Sequence, residues 1–241
     1  MSPVPAGTRL RTARRVFADL GARGIAFVLL ERLPGVHAEW LAVFEHPRPP
    51  ADPPRVPGFR WADEGDAAAL AGLGEAPSVL AARLRRGDLA ATVAGPDGRP
   101  VAYAWYRRAG DRGPGLRFEI EPEAAWAYDL LVAPQRRGRG LAGRLLDRAE
   151  ADLARAGVRR IVSTVDRVNR ASLRVAAARG SACLGDVLAL RLAGVTARRE
   201  AWAGRRPRWS IDRGAGVVPV PRADGARPLA RGLRGRPAAP R

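Results

Sequence analysis

The residues best equipped for chemistry crowd into the middle of the chain. Arg136, Arg137, Gly138, Arg139 and Gly140 lie between an apolar run ending at Val132 and a leucine-spaced run beginning at Leu141. A strand, a glycine-rich turn and then a helix leave unpaired backbone N–H groups at the helix N-terminus, an arrangement that holds phosphate. Gly138 and Gly140 permit close backbone approach and unusual dihedrals, and Arg137 and Arg139 add positive charge, so a pyrophosphate suits the turn better than a duplex. Just upstream stand Glu119, Glu121, Glu123, Tyr128 and Asp129. A carboxylate there could take a proton through water, with Glu121 the first choice as base, and Tyr128 could act as acid or hold a water. Asp129 is the third candidate, its plain alternative being an ion pair with a nearby arginine.

Other chemistries are closed by composition. The chain has no lysine, so no G-x-x-x-x-G-K-[ST] phosphate loop exists. Cys183 is the single cysteine, which rules out an intrachain disulfide and a thiolate cluster; we assign it no chemistry and read it as a small buried hydrophobe. His37 and His46, far apart in sequence, are too few to suggest a metal and read as structural or exposed.

Elements that could position these groups alternate from Phe59 onward. Phe59–Trp61 reads as a short strand, Asp63 opens an acid-started helix, and Pro77 and Gly87 bracket a second one. Two strand-like runs from Leu89 and Val101 flank the turn Gly95-Pro-Asp-Gly-Arg-Pro. In the run from Ala125 to Val132, period-two alternation sets Trp126, Tyr128, Leu130 and Val132 on one face and Ala127, Asp129 and Leu131 on the other. Leu141, Leu145, Leu146, Ala149 and Leu153 form one helical face that ends at Gly157. A strand from Val158, a short helix capped by Asn169 and stopped by Gly180, and one or two strands from Ala182 complete the series. Residues 9–33 read as a helix with a basic first half, and 46–58 as a proline-rich linker. The division expected is 1–57 as extension and linker, 58–196 as domain, and 197–241 as a disordered Arg/Gly/Pro-rich tail.

The net charge of +18 comes entirely from 42 arginines against 24 acids. Half of that excess lies from Ala197 on, where 12 arginines face 3 acids. The basic termini keep nucleic acid or an anionic membrane surface open as partners, with packing of the N-terminal helix on the domain as the plainer outcome. No apolar run approaches the roughly 20 residues that span a bilayer, and the single cysteine fits a reducing, cytoplasmic setting.

The run from Leu131 to Ala142 resembles the acyl-CoA-binding motif of the GNAT superfamily of N-acyltransferases, with Arg137-Gly138-Arg139-Gly140-Leu141-Ala142 as its core. Asn169-Arg170-Ala171-Ser172, followed by Gly180, is similar to that family's second motif. The resemblance covers about 140 residues, from Phe59 to about Val195. It implies an α/β fold with a mixed central sheet and helices on both faces, in which two parallel strands splay apart. It further implies that acetyl-CoA is the acyl donor, and that Leu130, Leu131 and Val132 hold its pantetheine through their backbone. Arg137, Gly138, Arg139, Gly140, Leu141 and Ala142 would hold its pyrophosphate, with Asn169 and Ser172 beside the arm. An amine acceptor would attack the thioester directly; a homodimer is left open. The sequence departs from the family where a tyrosine acid and a glutamate base are common, with Ala176 and Trp126 at those positions. A catalytically silent acyl-CoA-binding protein on the same fold is therefore the alternative.

Overall fold

The computed structural model describes residues 27, 29–30, 33–108, 111–112, 116–214, 216–222 and 227–228. In chain order, strand β1 (Val36–Glu45) and β2 (Phe59–Trp61) precede helices α1 (Ala67–Ala71) and α2 (Pro77–Arg85). Then come β3 (Leu89–Ala94), β4 (Pro100–Arg107), β5 (Asp111–Arg112), β6 (Leu116–Glu119) and β7 (Ala124–Val132). Helix α3 (Leu141–Arg155), β8 (Arg160–Asp166) and helix α4 (Arg170–Ala178) follow, and β9 (Ala182–Leu192), β10 (Val195–Trp202), β11 (Arg208–Arg213), β12 (Val217–Pro219) and β13 (Arg227–Pro228) end the series.

One sheet dominates, in the order β11-β10-β9-β1-β8-β7-β4-β3-β2, with β13 beside β9. Every pairing in it is antiparallel except that of β7 with β8. Helix α3 buries Leu145, Leu146, Ala149 and Leu153 against Ala91, Ala104, Ala125 and Ala127, small residues that let the helix come close. Leu173 and Ala176 of α4 pack on Ala42 and Phe44 of β1. On the opposite face, Leu70 of α1 and Leu80 of α2 meet Tyr103 and Trp105, while Leu116, Phe118 and Val218 of the small β12-β6-β5 sheet cover Trp126 and Leu41. The mixed sheet with helices on both faces is thus as expected.

Two boundaries are corrected. Residues 36–45 are not part of an extension: β1 lies inside the sheet between β8 and β9, with Leu41, Ala42, Val43 and Phe44 fully buried. Its run of four apolar residues is the mark of a strand covered on both faces, which shows no alternation to read. Nor does the tail begin at Ala197. β10 pairs with β9 along Val195–Trp202 and β11 pairs with β10, burying Thr196, Arg198 and Glu200. Arg198 binds Glu200 and Asp212, so an arginine-rich stretch is held in the sheet by its own acids. Of the helix expected over 9–33, Phe27, Leu29 and Leu30 are helical, Leu33 lies in a bend, and the remainder lies outside the described residues, as do 223–226 and 229–241.

Candidate active site

β7 and β8 run in register from Ala124–Arg160 to Ala127–Ser163, and there the pairing stops. The cause lies on the other edge of β7. Against β4, Tyr103 faces Leu131 and Trp105 faces Tyr128, so two residues, Asp129 and Leu130, oppose Ala104 alone. Asp129 takes a left-handed φ of 50°, and its carboxylate binds Arg83 of α2, which ties the bulge to the helix across the face. The extra residue bends β7 away from β8 and reverses the alternation of its side chains. Trp126 and Tyr128 point to the face of the small sheet and α2, whereas Leu130 and Val132 join Ala125 and Ala127 on the face of α3. The single face expected for all four is corrected by this bulge.

A cleft of about 1010 Å³ runs through the opened sheet, bounded by β7, β8, β4, α2 and α4. Beyond the C-terminal end of β7, Pro134–Arg136 form a 3-10 turn and Gly138 and Gly140 adopt φ of 75° and 70° before α3 starts. No atom lies within 4 Å of a Cβ placed at Gly138, and only the Arg144 guanidinium, at 3.7 Å, near one at Gly140. The backbone dihedral, not crowding, is what demands glycine there. Arg137 donates to the Val132 carbonyl at 2.9 Å and Arg144 to that of Arg139 at 3.2 Å, bracing the turn from both sides. Asn169 caps α4 by accepting the Ser172 N–H at 3.2 Å, and both residues line the cleft.

The opposite wall carries a buried ionic network that the sequence did not suggest. Asp88, 3% exposed, accepts two hydrogen bonds from Arg107 at 2.7 Å, one from Arg86 at 2.9 Å and one from the Tyr128 hydroxyl at 2.6 Å. Burial alone would raise its pKa, but the bonds from Arg107, Tyr128 and Arg86 outweigh that and hold it below the usual carboxylate range. Burial and the Asp88 carboxylate push the Tyr128 phenol well above its ordinary value.

With this geometry in view, the acetyltransferase (GNAT) family model matches residues 37–180, more than half of the chain. The chain belongs to the GNAT acetyltransferase family. The match starts within β1, in accord with the place of that strand in the sheet. No curated protein matches. Among solved structures, a GNAT-family protein from Novosphingobium aromaticivorans is 23% identical, covering 62% of this chain and 63% of its own, with a TM-score of 0.47. A Drosophila protein is 16% identical over 73% of this chain and 57% of its own, at a TM-score of 0.50. An Escherichia coli GNAT N-acetyltransferase solved with CoA is 19% identical over 46% of this chain and 64% of its own, at 0.37. The chain thus spans less than two thirds of these relatives.

Within the GNAT domain, the expected site residues fall into two groups. Tyr128, Asp129, Leu130, Asn169 and Ser172 line the cleft, and the 137–142 turn follows directly from the splayed strand. Glu121 does not reach it. It sits at the β6–β7 turn, bound to Arg160 at 2.7 Å and Arg222 at 3.0 Å, at the end of β7 remote from the splay. Burial works against it, but its own backbone N–H and these two arginines bring its pKa down to about 2, so the base expected there is corrected to a structural ion pair. Asp88, Arg107 and Arg83 were missed because nothing in their spacing links them to Tyr128. Of the two readings offered for His46, structural or exposed, the first fits: it is half-buried in the cleft wall, bonded to Ser163 and Glu150. Its partners stand more than 100 residues away, out of reach of any local signal.

Proposed function

We propose that this GNAT domain transfers an acetyl group from acetyl-CoA to a primary amine by direct attack in a ternary complex. The observation that supports this best is the combination of a bulge-opened pair of parallel strands with a left-handed glycine turn at the N-terminus of α3. Edge groups of β7 beyond Ala127 have no partner on β8 and can bind an amide-bearing arm running along the strand. That assigns the Leu130, Leu131 and Val132 stretch to the pantetheine, with the N–H groups on its open edge, alternate along the strand, polarising the thioester carbonyl. The turn from Arg137 to Ala142 would take the pyrophosphate, with Asn169 and Ser172 beside the arm.

On the acceptor side, the Tyr128 hydroxyl donates its hydrogen bond to Asp88 and keeps its proton, so its lone pairs are left as hydrogen-bond acceptors for an incoming amine. With its pKa raised, Tyr128 is a weak acid, and Asp88, bonded to two arginines, is a weak base. Both therefore orient the acceptor more than they exchange protons with it. Asp129 is spent on Arg83. Catalysis then rests on placing a neutral amine against the thioester and stabilising the oxyanion. The commitment of these groups also favours one second reading, a domain that binds acyl-CoA without turnover.

Calorimetric titration of acetyl-CoA into the full chain, beside the Arg137→Ala, Gly140→Asp double variant, tests the binding half. Saturable binding lost in the variant is expected; equal binding by both removes the reading. An acceptor screen that records thiol release separates transfer from silent binding.

A further inference from the structure

Under the splay, on the face of α3 and α4, four polar side chains are sealed together. Ser163 is the last residue of β8 paired with β7, so it stands where the two strands part, and it lines the cleft. Its Oγ lies 2.8 Å from Nε2 of His46, and Nδ1 of His46 lies 2.7 Å from Oε1 of Glu150. Glu150 is 0% exposed and is also held by Arg179, at 3.0 Å on Oε1 and 2.7 Å on Oε2. Burial would raise the pKa of Glu150, but His46 and Arg179 lower it overall, so the carboxylate is ionised and can only accept. Nδ1 also lies 3.1 Å from the Arg179 guanidinium, but that group is already bonded to Glu150, and at 2.7 Å two bare lone pairs of Nδ1 and Oε1 would repel, so the geometry favours a proton on Nδ1 directed at Glu150. With the proton there, a neutral imidazole turns its Nε2 lone pair to the Ser163 hydroxyl. Ser181, 1% exposed, lines the same cleft, and its hydroxyl has no hydrogen-bond partner.

A hydroxyl bonded to one nitrogen of an imidazole whose other nitrogen is held by a carboxylate is the arrangement that turns serine into a nucleophile. A buried cluster needing only structural satisfaction would not have to end in a hydroxyl at the one point where the sheet opens. We propose that Ser163, His46 and Glu150 form an acyl-accepting centre that hydrolyses short acyl thioesters and activated esters. Ser163 Oγ attacks the acyl carbonyl carbon and its proton passes to His46 Nε2. The C–S bond breaks, and the sulfur takes that proton and leaves as the thiol. Water then attacks the acyl-serine, giving its proton to His46, which returns it to Ser163 Oγ as the carboxylic acid departs. The net reaction consumes one water per thioester and needs no further reactant. Arg179 holds the carboxylate in place and keeps it charged.

For acyl-CoA this centre rests on the proposed donor site, so the test begins with probes that do not need CoA. A fluorophosphonate and p-nitrophenyl acetate are applied to the full chain, with the modified residue located by mass spectrometry. The expected result is labelling at Ser163, a nitrophenolate burst approaching one per chain, and loss of both in Ser163→Ala. Replacing the imidazole in His46→Gln should slow labelling by about 100-fold or more, the size of a general-base contribution. Should that variant fail to fold by circular dichroism, Glu150→Gln, which keeps the shape and removes the charge, is expected to slow labelling as well. Absence of Ser163 labelling in the folded wild type, or labelling unchanged in Ser163→Ala, overturns the proposal. Labelling of Ser163 without amine-independent thiol release, in a chain that calorimetry shows to bind acetyl-CoA, overturns thioester hydrolysis; the same result in a chain that does not bind acetyl-CoA refutes the donor site instead.

Discussion

The glycine turn can be tested by a comparison along one helix. Gly140 precedes α3 with φ of 70°, and Gly157 follows it with φ of 89°. At Gly157 an added Cβ meets nothing within 4 Å, and at Gly140 only the Arg144 guanidinium at 3.7 Å, an ordinary contact. Alanine at either position therefore pays the same kind of penalty, the left-handed backbone strain of about 1–2 kcal/mol. For a chain of this size that is a fall in Tm of roughly 2–8 °C, alike in both variants. Ligand binding should separate them. If the N–H groups after Gly140 hold a pyrophosphate, Gly157→Ala leaves acetyl-CoA affinity unchanged, whereas Gly140→Asp sets a carboxylate against the anion. One unit charge about 4 Å from another interacts by about 1 kcal/mol in water and about 4 kcal/mol near a protein surface. Affinity should then drop by about fivefold at the least and by several hundredfold at the most. Differential scanning calorimetry gives the first quantity and titration calorimetry the second. Equal acetyl-CoA affinity in the wild type and Gly140→Asp would refute the assignment of this turn to the phosphates.

Other consequences follow from groups outside that turn. Burial pushes Tyr103 up to about 12, and burial also raises Tyr106 and Tyr128, the carboxylates of Glu150 and Asp88 adding to the effect. Since these are all the tyrosines of the chain, ultraviolet titration should show about one tenth of one phenolate at pH 11, where free tyrosine is about nine tenths ionised. Folded pKa values above the unfolded one favour the folded state fully below pH 10 and lose that contribution as pH rises through 10 towards 12 and beyond. A full phenolate at pH 10.5 with unchanged circular dichroism would contradict the burial of the aromatic wall. Glu121 behaves oppositely. Its pKa of about 2 is depressed, so its contribution is present above the unfolded carboxylate value and is lost as pH falls from there to 2. Glu121→Gln should cost about 1 kcal/mol at neutral pH and leave kcat and KM for any accepted amine unchanged; a large fall in kcat would restore it as a base. Gly185→Ala is expected to be severe, because its Cβ would lie 2.3 Å from the Ala201 carbonyl oxygen in the facing strand. A Tm within 2 °C of wild type would show that β10 is not held against β9 there.

The glycine turn was readable in the sequence because each of its parts is local. Gly138, Gly140, the leucine face of α3 and the Asn169 cap all act within about one helical turn of their own position. Glu121 is set apart from the cleft for the same reason in reverse. Three positions before β7, it looks close to Tyr128 along the chain, but the extended strand carries Tyr128 to its middle, away from the turn, and Arg160 and Arg222 arrive from elsewhere to claim the carboxylate. β1 was invisible because a strand covered on both faces has no alternation, and the β10–β11 hairpin was obscured by a composition that elsewhere denotes disorder.

The bulge at Asp129 carries the deepest consequence. Period-two reasoning holds along a strand until one extra residue is inserted, and then every side chain beyond it changes face. Ahead of the bulge, Tyr128 faces α2 and Asp88; beyond it, Leu130 and Val132 face α3. The insertion at which pairing with β8 ends therefore divides β7 into halves whose like-numbered side chains point to opposite faces, and Asp129 is the residue that adopts the strained φ. Nothing about an aspartate in an apolar run announces this. Its ion pair with Arg83 is what makes the strained conformer affordable, so the opening of the sheet depends on a contact between α2 and β7 that only the folded chain creates.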